Sequence, residues 1–487
     1  MPGSLTRRQF AASGLAAGLA PPASARAAEP IRLIVDHHSL EVNGKAARVL
    51  GICQPDGTAG LRIGDVQRFG VRVENRLAEP TLIHWHGLTP PYRQDGVPGL
   101  SGPPIAPGGA ASYDFPLDFP GTFWMHSHVG LQEQSLLAAP LIIGEAAAGG
   151  APEATLFLHD FSFRTPEEIF ASLRGAAKPD AMAGMDMGGT TPSGHGDASM
   201  PGMAMPGMAM PGMAMPDGKM DLNDVVYDAF LANDRTLADP YIVRVAPGEQ
   251  LRLRVINAAS ASNFHIDLGA LDGTLIAVDG HEVAPLRGGR FPVTMAQRLD
   301  LLLDLPASQG AWPVLAILEG GRQRTGLILA TQRGAVRKLA PVAAEAAPPL
   351  DLTLERRLAA AAPLPPRQAG RVLRVDLTGS MAGFVWGMNG VAYGHDAPLM
   401  VRAGERVEIV MTNRTAMSHP MHLHGHVFQV VAIGADRFAG ARRDTVLVPK
   451  GQSVTIAFDA DNPGIWAFHC HNLYHMQAGM MTSLRYG

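Results

Sequence analysis

The run His469-Cys470-His471-Asn472-Leu473-Tyr474-His475-Met476-Gln477-Ala478-Gly479-Met480 gathers a thiol, three imidazoles and two thioethers in one short stretch. One thiolate, two imidazoles and a weak axial thioether are the donor set of a blue-copper electron-transfer site. Cys470, His475 and Met480 supply three of these donors, and His419, in His419-Pro420-Met421-His422-Leu423-His424-Gly425, is the candidate for the fourth. On a strand, His469 and His471 point to the face opposite the Cys470 side chain, where they could hold a different metal. The tripeptide therefore reads as a wire between two metal sites.

The same spacing recurs in His84-Trp85-His86, in His126-Ser127-His128 and in His422-Leu423-His424. Side chains two apart on a strand share a face, so four His-x-His units offer eight imidazoles to one side, which suits a three-copper cluster. A lone strand histidine is more often packed or solvated than metal-bound, and that is the reading for His37, His38, His159, His265, His281 and His395. The joint pattern carries the metal reading.

In this order the four motifs resemble the multicopper oxidase family, which includes laccases and periplasmic cuprous oxidases. The resemblance implies four copper ions, with Cys470, His419, His475 and axial Met480 on the type 1 copper and His84 and His422 on the type 2 copper. It assigns His86, His126, His128, His424, His469 and His471 to the type 3 pair, and gives His426 no copper. The implied reaction takes single electrons from a reducing substrate at the first site and uses four of them to reduce O2 to water at the second. Asp95, in Gln94-Asp95-Gly96, matches the family's proton-relaying acid, although an Asp-Gly turn would use the same residues. Met476 stands where some members carry a second acid, so that proton route is absent or supplied elsewhere.

The elements that position these residues show in an internal repeat. Gly64-Asp65 leads through an alternating strand to Asn75, Gly248-Glu249 to Asn257, and Gly404-Glu405 to Asn413. Three copies predict three related β domains, and the resemblance makes them cupredoxin-like Greek-key sandwiches in an all-β chain. His84 and His422 each lie nine residues beyond their repeat Asn, whereas the middle copy has Ile266 and then Leu268 at the corresponding positions. Pro120-Gly121-Thr122-Phe123-Trp124-Met125-His126 aligns without gaps on Pro463-Gly464-Ile465-Trp466-Ala467-Phe468-His469, and the same count from Gly310 puts Leu315 at the histidine position. The trinuclear group is thus expected between the first and third domains, with the middle domain a spacer of hydrophobic interior. The expected boundaries are 29–147, 148–340 and 341–487.

A chain of 487 residues suffices for three such domains, and 55 Gly and 39 Pro at 17% charged residues suit short strands joined by turns. A net charge of −4 without a long basic run gives no footprint for nucleic acid. Arg7-Arg8 before the short apolar stretch Ala11 to Ala20, with an Ala-x-Ala-like exit near Ala23-Ser24-Ala25 or Ala25-Arg26-Ala27, reads as a twin-arginine export signal over 1–28. That stretch is too short to span a membrane, so a soluble, monomeric periplasmic or secreted protein is expected. Cys53 has no partner if Cys470 binds copper, and reads as a small buried apolar residue.

Between Met182 and Met220 lie 11 of the 23 methionines, with three tandem Pro-Gly-Met-Ala-Met copies carrying Met203, Met205, Met208, Met210, Met213 and Met215. From Arg174 to Asp221 there is no Leu, Ile, Val or aromatic residue, so the insert at about 180–220 has no core of its own; composition alone allows a linker. Clustered thioethers favour Cu(I), and Met417 falls where cuprous oxidases of the family carry a substrate-side methionine, with Thr415 in place of the usual acid. The expected function is oxidation of Cu(I) to Cu(II) by O2 in copper tolerance. A laccase-like oxidase of phenols or aromatic amines is the alternative, supported by His422-Leu423-His424-Gly425-His426, and a non-enzymatic copper carrier is a third.

Overall fold

The computed structural model describes residues 29–64, 67–144, 152–175 and 222–487. The export segment, Asp65 and the methionine repeats with Met203, Met205, Met208, Met210, Met213 and Met215 lie outside the described residues. No helix among the described residues is long and apolar enough to cross a membrane.

Three β-sandwiches follow one another along the chain. In the first, the sheet ordered Lys45–Cys53, Ile31–Val42, Arg68–Asn75, Ala110–Pro116 packs on the sheet ordered Leu61–Ile63, Ala138–Ile143, Gly121–Ser127, Ile83–His86. Phe69, Val71 and Val73 from one sheet and Trp85, Phe123 and Met125 from the other fill its core. The second and third sandwiches repeat the plan with six- and five-stranded, then seven- and five-stranded sheets. Each has its opening strand parallel to the repeat strand: Ile31 beside Val71, Arg252 beside Glu153, and Arg371 beside Val407. A parallel pair inside mostly antiparallel sheets marks a long crossover between them.

The repeated Asn has the same task in every copy. Asn75 Nδ2 donates to the carbonyls of Glu79 and Ile105 while its Oδ1 accepts from Leu77 N. Asn257 does this with Ser262, Val293 and Ala259, and Asn413 with Met417, Val448 and Thr415. Each amide thereby closes the turn that launches the next strand, which in the outer copies carries histidines. The acid of the turn has a role too: Glu249 accepts from Ala246 N and Glu405 from Arg402 N, beside Gly248 and Gly404 at φ +75° and +79°.

Two expectations need correction. In the middle sandwich Ile266 faces Ala316, not Leu315, because Ala311, not Gly310, opens that strand as Gly121 opens its counterpart; the pair is apolar either way. Cys53 is half-buried at the end of Lys45–Cys53, with Sγ 3.9 Å from Ile34 O, rather than buried.

Candidate metal centres

The thiol group forms first from local structure. Cys470 ends the strand Ile465–Cys470, and Asn472 caps the short helix Leu473–Gln477 by accepting from Tyr474 N and His475 N. That single turn swings His475 back over the thiol. The chain then returns through Gly479 at φ +119°, where a Cβ would lie 2.7 Å from Trp386 O, and Met480 is tied by Cys470 N to Met480 O at 3.0 Å. His419 arrives on the neighbouring strand, where Met421 pairs with Cys470.

His419 Nδ1 and His475 Nδ1 face each other at 3.1 Å, and Cys470 Sγ lies 3.6 Å from the first and 3.8 Å from the second. All three side chains, with Met480, are fully buried. Of the outer nitrogens, His419 Nε2 pairs with Thr415 Oγ1 at 2.7 Å, whereas His475 Nε2 lies 3.0 Å from Asp224 Oδ2 without hydrogen-bond geometry. Trp386 lies over the His475 ring at 4.1 Å between centroids. Burial raises the Cys470 thiol far above its ordinary value and, with the neighbouring His475, keeps the His419 imidazole neutral. A thiolate here needs a cation beside it.

The eight paired histidines converge where the first and third sandwiches meet. His84 sits across from His126, and His422 across from His469. Donor atoms within 4.8 Å of one another form the groups His84, His86 and His422; His86, His126 and His471; and His128, His424 and His469. His84, His424 and Asp95 make a further group. Among the described residues no such group includes His37, His38, His159, His265, His281, His395 or His426. His426 instead pairs with Tyr486 OH at 2.6 Å, and His265 with Pro348 O at 2.9 Å.

Outward-facing nitrogens are satisfied in a crossed pattern. His84 Nδ1 donates to the Asp95 carbonyl at 2.8 Å, while the Asp95 carboxylate takes His424 Nδ1 of the other sandwich at 2.8 Å. His422 Nδ1 donates to the Asp444 carbonyl at 2.8 Å, while the Asp444 carboxylate takes His86 Nε2 of the other sandwich at 3.0 Å. The inward nitrogens are left over. His84 Nε2, His86 Nδ1, His126 Nε2, His128 Nε2, His422 Nε2 and His471 Nε2 are buried without a hydrogen-bond partner, and His424 Nε2 faces His469 Nε2 at 3.0 Å. Buried polar atoms are normally paired, so this many orphans aimed at one place fit metal ions. Burial, reinforced by neighbouring imidazoles, holds His86, His126, His128, His424 and His471 well below the ordinary histidine range and His469 at about 3, the neutral form that ligates.

Several contributors were invisible in the sequence. Glu133, five residues past His128, has Oε2 2.9 Å from His126 Nδ1; burial and nearby Asp160 keep its carboxyl protonated. Asp444 is a carboxylate despite burial because Arg298 and His86 stabilise its charge. Arg298 and Asp224 belong to the middle sandwich, which is therefore not a mere spacer. Met417, for its part, packs in the core of the third sandwich with its carbonyl held by Asn413.

Family models described as multicopper oxidase match residues 41–148, 201–335 and 367–487. The chain is 34% identical over 428 residues to Multicopper oxidase MmcO of Mycobacterium tuberculosis, covering 85% of this chain and 79% of that protein. It is 27% identical to a Copper resistance protein A homolog of Pseudomonas syringae pv. tomato, covering 91% of this chain and 89% of that one. The solved laccase of Botrytis aclada superposes with a TM-score of 0.72 at 22% identity, covering 93% of this chain and 86% of that one.

Proposed function

The chain belongs to the multicopper oxidase family, and on that premise we propose that it oxidises Cu(I) to Cu(II) at the expense of O2 and so serves copper tolerance. The resident cofactor is copper. Four ions fit the donor sets: His419, Cys470, His475 and Met480 for type 1, His84 and His422 for type 2, and His86, His126 and His471 with His128, His424 and His469 for the type 3 pair. Bound there, copper supplies one-electron transfer at the first site and four-electron reduction of O2 to water at the second.

The protein's own part is to orient and to exclude water. Cys470 joins the two groups covalently through its neighbours His469 and His471. Asp95, fully buried against His84 and His424, is the acid we assign to proton delivery, its Oδ1 having no hydrogen-bond partner. The 1–28 segment is assigned to export, and 29–147, 148–340 and 341–487 to the three domains.

The observation that carries the cuprous reading is the outer edge of His475. Its Nε2 lies 3.0 Å from the buried Asp224 carboxylate, and Trp386 covers one face of the ring. A carboxylate at that edge suits a cationic donor. The methionine-rich insert, whose last methionine, Met220, comes four residues before Asp224, offers the soft sulfur that Cu(I) prefers. The name of the Pseudomonas syringae relative points the same way.

Oxygen uptake by copper-loaded protein tests this, with Cu(I) held in a non-oxidising chelator and a simple phenol as separate donors and Cys470→Ser as control. Rapid uptake with Cu(I), slow uptake with the phenol and none in the control is expected. Equal uptake with the phenol alone would establish the laccase-like alternative, and uptake with neither donor would defeat the enzyme reading.

A further inference from the structure

We propose that Arg298, contributed by the middle sandwich, is a positioning residue for the trinuclear group, acting through Asp444 on His86 and His422. The proposal rests on the copper assignment above. Arg298 is fully buried and uses every one of its five N–H donors. Nε donates to Thr122 O at 3.1 Å, in the first sandwich. Nη1 donates to Ala296 O at 3.1 Å and to Asp444 Oδ1 at 2.8 Å, and Nη2 to Asp279 O at 2.9 Å and to Asp444 Oδ2. One guanidinium thus spans all three sandwiches.

What it holds is the acid that orients two histidines. Asp444 Oδ1 sits 3.0 Å from His86 Nε2, leaving Nδ1 as the free nitrogen, and 3.6 Å from His422 Nδ1. The His86 and His422 rings stack at 3.8 Å with an 18° interplanar angle, so a turn of one displaces the other. Among the described residues the matching acid of the first sandwich, Asp95, pairs only with His84 and His424 and with no arginine or lysine, and its Oδ1 has no hydrogen-bond partner. The crossed arrangement is therefore clamped on one side only.

The chain makes room for the clamp. Gly87 follows the first His-x-His unit at φ +90°, and a Cβ there would lie 2.4 Å from Arg298 Nη2 and 2.8 Å from Asp444 Oδ2. The planar five-donor fork is what the site demands, and lysine, with three donors on one atom, cannot reproduce it.

The test compares wild type, Arg298→Lys, Arg298→Met and a control, Arg254→Met. Arg254 is an equally buried interdomain arginine, bonded to Thr122, Glu153 and Asp300, that reaches no acid on a copper ligand. Copper per chain, type 2 electron paramagnetic resonance, the near-ultraviolet band of the coupled pair and retention against a chelator are read together, with thermal stability alongside. Both Arg298 variants are expected to keep the visible type 1 band and to hold the type 2 and type 3 copper about 10- to 100-fold more weakly, the usual effect of losing an orienting partner. Arg254→Met is expected to lose stability yet keep all copper signals. Wild-type retention in both Arg298 variants, or the same copper loss in Arg254→Met, overturns the proposal. Should Arg298→Met fail to fold, Arg298→Lys, which keeps the charge and loses the fork, decides it. Wild type binding fewer than four ions would overturn the copper assignment itself, a result separable from any difference among variants.

Discussion

Replacing the repeated asparagines one at a time by alanine should separate folding from metal chemistry. Asn413 is buried and makes four hydrogen bonds: Nδ2 to Met417 O at 2.7 Å and Val448 O at 2.9 Å, and Oδ1 from Thr415 N at 2.9 Å and Thr415 Oγ1 at 2.8 Å. At about 1 kcal/mol net for each, with buried partners left unpaired, Asn413→Ala costs roughly 3–5 kcal/mol. Asn257 makes three longer bonds, at 3.0, 3.4 and 3.2 Å, so Asn257→Ala costs roughly 2–3 kcal/mol. The consequences for copper differ in kind. Asn413 holds Thr415, whose hydroxyl meets His419 Nε2, whereas no candidate ligand follows Asn257. Denaturant titration of the copper-free chain, followed by the fluorescence of Trp386 and Trp466 for the third sandwich and Trp312 for the second, measures the costs. The visible spectrum after copper loading measures the rest, and only Asn413→Ala should weaken or shift it. A cost below about 1 kcal/mol for Asn413→Ala, or bleaching by Asn257→Ala, would refute the reasoning.

Further outcomes follow from named contacts. Gly425→Ala would bring a Cβ to 2.3 Å from the Trp466 ring at φ +64° and should destabilise by roughly 2–4 kcal/mol, whereas Gly404→Ala, at φ +79° with open space, should cost only about 1 kcal/mol by thermal denaturation. Asp224→Asn removes a negative charge 3.0 Å from His475 Nε2 and should raise the type 1 reduction potential in a redox titration; a fall would contradict it. The copper-free chain should be acid-labile. Its buried imidazoles have folded pKa values pushed below the unfolded value near 6.5, so their contribution is present above that pH and lost as pH falls toward the folded values. Each such group adds a slope of about 1.4 kcal/mol per pH unit. The stability of the copper-free chain should therefore fall steeply as pH drops below 6.5, and a curve that stays flat there would rule this out.

The ligands were legible because each unit is local: two imidazoles two apart on a strand announce a shared face, and the Asn repeat announces the sandwich that carries them. The surrounding groups were not, because their partners are remote in sequence. His86 and Asp444 are 358 residues apart and Arg298 and Asp444 146, and no periodicity links such positions. An acid in the otherwise buried strand region Arg443-Asp444-Thr445 was the available signal for Asp444, and the polar triplet Gln132-Glu133-Gln134 beside the second motif was the signal for Glu133. The one-residue error at Leu315 came from counting from Gly310, which precedes the strand, whereas Gly121 begins its counterpart. Arg298 looked like any alternating strand residue, and only its fully buried setting distinguishes it.

The crossed acids carry a consequence for biogenesis. Each carboxylate serves the other sandwich's imidazole, so a half of the centre synthesised alone has neither its full nitrogen set nor its orienting partner. His84, His86, His126 and His128 leave the ribosome long before His422, His424, His469 and His471 exist to meet them. Insertion of the three-ion group is thus a late event, possible only after the carboxy-terminal sandwich has folded and docked, and metal uptake becomes a read-out of completed assembly. The donors of the thiol site, His419, Cys470 and His475, all come from one sandwich, so that site does not wait for the outer sandwiches to meet.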